Sequence, residues 1–112
     1  DDAVTAARFC AGAGVDGLIV SNTTVSRAGL QSVVPEGPGG VSGAPLFDRS
    51  TALLQLLHDD VGDKVVFVGV GGVFDGESAK AKFAAGATLL QSYTGFVYGG
   101  PGFARDVVGA LL

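Results

Sequence analysis

The sequence predicts an α/β fold, the C-terminal portion of a (β/α)8 barrel, with residues 1–112 forming part of one domain. Apolar segments of strand character alternate with segments of helical period, which implies right-handed crossovers and a parallel sheet. There is also an internal echo. Phe9-Cys10-Ala11-Gly12-Ala13-Gly14-Val15-Asp16-Gly17-Leu18-Ile19-Val20-Ser21 resembles Phe83-Ala84-Ala85-Gly86-Ala87-Thr88-Leu89-Leu90-Gln91-Ser92. Each runs from a helix end through an Ala-Gly turn and an apolar strand to a polar residue. Repeating α/β units fit a barrel or an open doubly wound sheet, and the echo favours the barrel. Length completes the argument: 112 residues fall well short of the roughly 250 of a whole barrel. The predicted strands are too few to close one. The chain opens Asp1-Asp2 without an initiating Met and reads as a piece of something longer.

The elements follow in order. Residues 1–11 form a helix: Asp1 or Asp2 caps it, Val4, Ala7 and Ala11 recur at helical spacing, and Gly12 or Gly14 takes the left-handed turn that ends it. Residues 17–21, Gly-Leu-Ile-Val-Ser, form a buried strand. Residues 22–48 carry Gly, Pro, Ser and Thr without a clean period, and a loop of that length is expected to be functional or mobile. A second helix spans 49–58, with Asp48 or Ser50 as its cap and Leu53, Leu54, Leu56 and Leu57 as its apolar face. Residues 65–70, Val-Val-Phe-Val-Gly-Val, are a second buried strand. Asp75 caps a helix over 77–85 that stops at Gly86. Residues 88–92 make a third strand, and Pro101-Gly102 lead into a helix over 103–112.

Composition narrows the function. The chain is 47% hydrophobic and 16% charged, which excludes intrinsic disorder. A net charge of -4 without a basic stripe makes nucleic acid and anionic membrane surfaces poor partners. The lone Cys10 rules out an internal disulfide and a Cys-based zinc site, and it is expected to fill the core. No apolar run approaches the ~18–20 residues of a membrane span, and no signal peptide is visible. Richness in Ala, Gly and Val without Met fits a GC-rich bacterial source.

Barrel chemistry sits at the C-terminal ends of the strands. Gly71 and Gly72 follow a strand and precede a capped helix. They form either a plain tight turn or a turn whose backbone N–H groups close on a phosphate, a reading that the Tyr93-Thr94-Gly95 turn after the next strand strengthens. Asn22 and Thr23 directly follow a buried strand. An Asn amide offers donor and acceptor, which suits a ring with alternating C=O and N–H groups, but an Asx-turn or helix cap explains it as well. Gly39-Gly40-Val41-Ser42-Gly43 is a second phosphate turn or a flexible joint. The Gly71-Gly72 turn is not part of a GxGxxG, so it is no Rossmann fingerprint. His58 reads as a solvated helix end, and Asp59, Asp60 and Asp63 as a solvated acidic turn. There is no metal-ligand spacing and no Ser–His–Asp set.

At these residues the chain resembles the class 2, quinone-dependent dihydroorotate dehydrogenases, almost end to end. The resemblance rests on Asp16-Gly17-Leu18-Ile19-Val20-Ser21-Asn22-Thr23-Thr24-Val25-Ser26-Arg27, Gly39-Gly40-Val41-Ser42-Gly43-Ala44-Pro45-Leu46, Val68-Gly69-Val70-Gly71-Gly72-Val73 and Ala85-Gly86-Ala87-Thr88-Leu89-Leu90-Gln91-Ser92-Tyr93-Thr94-Gly95. The first two strings are specific together, whereas the Gly-Val-Gly-Gly turn is shared by many flavin barrels. The resemblance implies a barrel holding FMN that oxidises dihydroorotate to orotate in pyrimidine synthesis. A hydride goes to the flavin and a proton to a serine base, and a quinone then reoxidises the flavin. It implies that Ser21, Gly43, Gly71, Gly72, Tyr93 and Thr94 contact FMN and that Asn22 and Thr23 bind the pyrimidine ring. Ser21 stands where Thr is usual, and Ala28 where a Pro is common. The serine base, a flavin-side lysine and the membrane helices of the class are expected upstream, so no catalytic residue is assigned here. The implied protein is a monomer, peripheral on the cytoplasmic face of a bacterial cell membrane, which it meets only through that upstream region. The rival readings are another FMN barrel, a flavin-free sugar-phosphate barrel and an inactive structural fragment.

Overall fold

Three parallel strands, β1 (Gly17–Val20), β2 (Val66–Val70) and β3 (Leu89–Gln91), form a sheet in sequence order. Ile19 pairs with Val68 in the first ladder and Gly69 with Leu90 in the second. The computed structural model describes residues 2–33 and 37–112. The helices are α1 (Asp2–Gly12), α2 (Phe47–Val61), α3 (Gly76–Ala84), α4 (Thr94–Gly99) and α5 (Phe103–Leu111). The arrangement is that of a segment of a (β/α)8 barrel, as the alternation of elements predicts. Asp1, one of the two residues expected to cap the first helix, lies outside the described residues.

The strands' alternation decides what is covered. Val20 and Phe67 point into a core with Leu54, Leu57, Val61 and Ala7, while Leu18 and Leu90 pack against it. A second cluster joins Val73, Ala79, Phe103 and Val107 beneath α3 and α5. The opposite face of the sheet is bare: Ile19, Val66 and Leu89 are 61%, 41% and 58% exposed. Parallel sheets are normally covered on both faces. In a closed barrel this face would look inward, onto side chains of the other strands.

Several expectations are corrected. The second helix starts at Phe47 and runs to Val61, longer at both ends than the expected 49–58. Neither Asp48 nor Ser50 caps it. The N-cap position is Leu46, after a 3-10 turn over Ala44–Leu46, and no side chain bonds there. Ser50 is instead buried, held inward by polar partners. Leu56 is half exposed, because the helix turns it away from Leu54 and Leu57. Cys10 is only partly buried, so it is not a core residue. Asp60 is not simply solvated: Arg8 Nε donates to its Oδ2 at 2.8 Å, tying α1 to α2 and holding the Asp60 carboxyl below its usual pKa. His58 is not a solvated helix end either. Its ring sits edge-on to Phe67, with centroids 5.8 Å apart.

The stretch 93–99, to which no element was given, contains α4. The long loop is less irregular than its composition implies. Thr24 and Val41 form an antiparallel bridge with both backbone hydrogen bonds. Arg49 Nη1 reaches Thr24 Oγ1 at 3.0 Å, and Arg27 donates to the Gly37 and Gly39 carbonyls. Asp75 caps α3 as expected, in a reciprocal box with Ser78.

Candidate functional site

The C-terminal ends of the three strands open into a cleft of about 560 Å³. β1 delivers Ser21, Asn22 and Thr23, β2 delivers Gly71 and Gly72, and β3 delivers Tyr93 and Thr94, while the long loop returns to add Gly43. Every residue to which the resemblance gives a cofactor or substrate contact therefore lines one cavity, whereas Gly39, Gly40 and Val41 of the second candidate phosphate turn do not. The internal echo has a structural counterpart: Ser21 and Ser92 each follow a strand, and both face the cleft.

Local geometry holds the walls together. Ser42 Oγ and Thr94 Oγ1 share a hydrogen bond that closes the loop onto the start of α4. Gly43 lies against the Thr94 methyl group, where a Cβ would approach to 3.0 Å. Ser92 Oγ donates to the Val73 carbonyl at 2.8 Å, joining the end of β3 to the glycine turn. Ser42 and Ser92 are not among the expected ligands, although each stands next to one in the sequence. Asn22 Oδ1 accepts from the Thr23 N–H at 2.8 Å, and its amide NH2 has no acceptor among the described residues. This bond goes to the adjacent residue, so the Asx-turn, which reaches two residues on, is not what forms.

The turn after β2 demands glycine twice. Gly71 has φ +102 and Gly72 φ +76, a region that L side chains avoid. A Cβ on Gly71 would meet Ser50 Oγ at 2.8 Å, and one on Gly72 would meet the Phe47 backbone nitrogen at 2.9 Å. These clashes lie toward α2, so packing alone requires both glycines. The N–H groups of Gly72 and Val73 have no intramolecular acceptor among the described residues.

Behind this turn lies a residue that the sequence reading passed over. Lys82 of α3 is fully buried. Its Nζ donates to Ser50 Oγ at 2.5 Å and to the Val70 carbonyl at 3.4 Å, and sits 5.3 Å from the centre of the Phe47 ring. Burial pushes its pKa down to about 8. Lys82 follows the buried Ala79 by three residues, on the same helix face. Among the described residues no charged side chain lines the cleft. No group of His, Cys, Asp and Glu among the described residues could hold a metal.

The wall and the cleft at its strand ends are those of a (β/α)8-barrel protein, and comparison with known proteins narrows the class. The family model described as dihydroorotate dehydrogenase matches residues 2–112. The chain belongs to the dihydroorotate dehydrogenase family. It is 49% identical over 98 residues to a dihydroorotate dehydrogenase (quinone) of Corynebacterium efficiens, covering 84% of this chain and 26% of that protein. The protein of the same name from Corynebacterium diphtheriae is 45% identical over 111 residues, covering 96% of this chain and 31% of the relative. Crystal structures of DHODH from Eimeria tenella superpose at 35% identity. The ligand-free form gives a TM-score of 0.93, covering 99% of this chain and 31% of the other. The ferulenol complex gives 0.92, with 99% and 30% covered. The chain thus spans between about a quarter and a third of the length of these relatives.

Proposed function

We propose that this chain supplies part of the cofactor and substrate walls of a quinone-dependent dihydroorotate dehydrogenase, which oxidises dihydroorotate to orotate in pyrimidine synthesis. The observation that carries the reading is the convergence of the family's strings on one cleft at the C-terminal ends of the strands. The residues fit FMN. The cleft volume falls within the roughly 300–1,000 Å³ of cofactor sites. Gly72 and Val73 line one wall with N–H groups that have no acceptor among the described residues, and no carboxylate of the described residues lines the cleft to repel a phosphate.

In this reading Ser21, Gly43, Gly71, Gly72, Tyr93 and Thr94 hold FMN. FMN, when bound, accepts the hydride removed from dihydroorotate. Asn22 and Thr23 orient the pyrimidine ring: the Asn22 amide donates to a ring carbonyl, and the Thr23 hydroxyl serves a neighbouring polar group. No catalytic base is assigned to these residues. Electrons pass on to a quinone. The enzyme acts as a monomer, peripheral on the cytoplasmic face of a bacterial membrane, through a region outside these residues. Among the described residues no helix is long and apolar enough to cross a membrane.

Asn22→Ala in the complete enzyme tests the substrate wall. Removing the amide leaves a ring carbonyl buried without a partner, which costs about 1–3 kcal/mol, or roughly a 5- to 150-fold loss in kcat/KM. The flavin-to-protein ratio is expected to stay at the wild-type value, because other residues hold the cofactor. A variant with normal flavin and normal dihydroorotate kinetics refutes the assignment.

A further inference from the structure

The proposed reaction makes no use of Lys82, yet the fold buries its charge directly behind the turn that borders the cleft. Nζ bonds the Ser50 hydroxyl, and that hydroxyl donates to the Gly71 carbonyl at 3.0 Å. Neither of the oxygens that Nζ bonds is a carboxylate. Burying an ammonium without a counter-ion is costly, and an apolar side chain of similar volume would pack there without that cost. On the cleft side of the same turn Gly72 and Val73 line the wall, their N–H groups have no acceptor among the described residues, and none of the described residues lining the cleft is charged. We propose that Lys82 is a positioning residue for the cofactor phosphate: its ammonium, tethered to the Gly71 and Gly72 turn through Ser50, supplies the positive charge that an anion on the cleft side of the turn requires. This rests on reading that turn as the phosphate-binding one.

The physical argument is one of distance and screening. Lys82 does not line the cleft, so it makes no direct contact with a ligand there. A desolvated charge is little screened by salt, and its field reaches across one layer of backbone. At neutral pH a group held near 8 is still mainly protonated. The hydrogen bond through Ser50 also fixes the Gly71 carbonyl away from the cleft, keeping an acceptor dipole from facing the phosphate.

Two substitutions in the complete enzyme, freed of flavin, separate charge from packing. Lys82→Gln removes the charge and keeps a donor for Ser50, while Lys82→Met removes both and keeps the stem. Affinities for FMN and for riboflavin, which lacks the phosphate, are read by quenching of flavin fluorescence. Both variants are expected to bind FMN at least about tenfold more weakly, as loss of a nearby, poorly screened charge implies, with riboflavin affinity within about twofold of wild type. Wild-type FMN affinity in Lys82→Gln overturns the proposal. So does an equal loss of FMN and riboflavin, including loss through failure to fold, since that marks a packing role. A wild-type enzyme that binds riboflavin as tightly as FMN overturns instead the reading of the turn as a phosphate site, and the inference with it.

Discussion

At the scale of single residues, the glycine turn shows how one position can satisfy two demands. A Cβ on Gly72 collides with the backbone of Phe47, and its φ of +76 is strained for any L side chain. Gly72→Ala in the complete enzyme should therefore lose about 2–4 kcal/mol, combining left-handed strain with overpacking. Melting temperature and flavin content should fall together. An unchanged melting temperature with lost flavin would instead mean that the added methyl group intrudes on the cofactor and spares Phe47. Cofactor loss in glycine variants is thus poor evidence for phosphate contact, and Lys82 offers the sharper test. The candidate ligands were legible in the sequence because each directly follows an apolar strand or sits in a glycine-rich string. Lys82 and Ser50 were not. Lys82 reads as an ordinary polar position on an amphipathic helix and Ser50 as a candidate cap, and only tertiary packing shows that α2 and α3 turn them toward one another.

At the scale of elements, helix starts divide into those with a side-chain signal and those without. Asp75 accepts the Ser78 N–H at 2.8 Å, and Ser78 Oγ accepts the Asp75 N–H at 3.0 Å. Its position was plain from sequence. Asp75→Ala is expected to lower stability by about 0.5–2 kcal/mol at neutral pH, read from denaturant midpoints. The bonds from Ser78 hold the Asp75 carboxyl below its ordinary pKa. A folded-state pKa below the unfolded one means that the unfolded chain takes up a proton first. The charge's contribution is thus complete above the usual range near 4 and fades as pH falls through the lower folded value. The gap between wild type and Asp75→Ala should narrow over that acidic interval, and a constant gap down to pH 2 would remove the carboxylate from the account. α2 and α4 begin without any capping side chain. α4 also has Gly95 and Gly99 within six residues and leaves Phe96, Val97 and Tyr98 exposed, so neither cap nor apolar stripe marked it. The loop before α2 carries its order in the Thr24–Val41 bridge, a long-range pairing that no local pattern encodes.

At the scale of the whole molecule, the alternation of strand and helix sufficed to read a barrel wall, because each βα unit writes its own periodicity. What covers the wall's inner face is not written in these residues. Ile19, Val66 and Leu89 stand open on that face, and the groove between β3 and α5 exposes Phe83 and Val108 as well. Contiguous apolar surface of this kind drives association when nothing packs on it. The same bareness bears on the cleft, whose walls come from three strand ends and the returning loop and stay open where further strands of a barrel would stand. A cofactor held on one side keeps most of its surface in water, so binding to the open cleft is weakened. Expressed alone, these 112 residues should therefore bind a hydrophobic dye, associate as concentration rises and retain little FMN through gel filtration. With dihydroorotate and a soluble quinone analogue they should show no turnover above buffer. A monodisperse chain that keeps flavin and reduces the quinone at a substrate-dependent rate would show that the bare face needs no cover, and that the wall described here is a working site by itself.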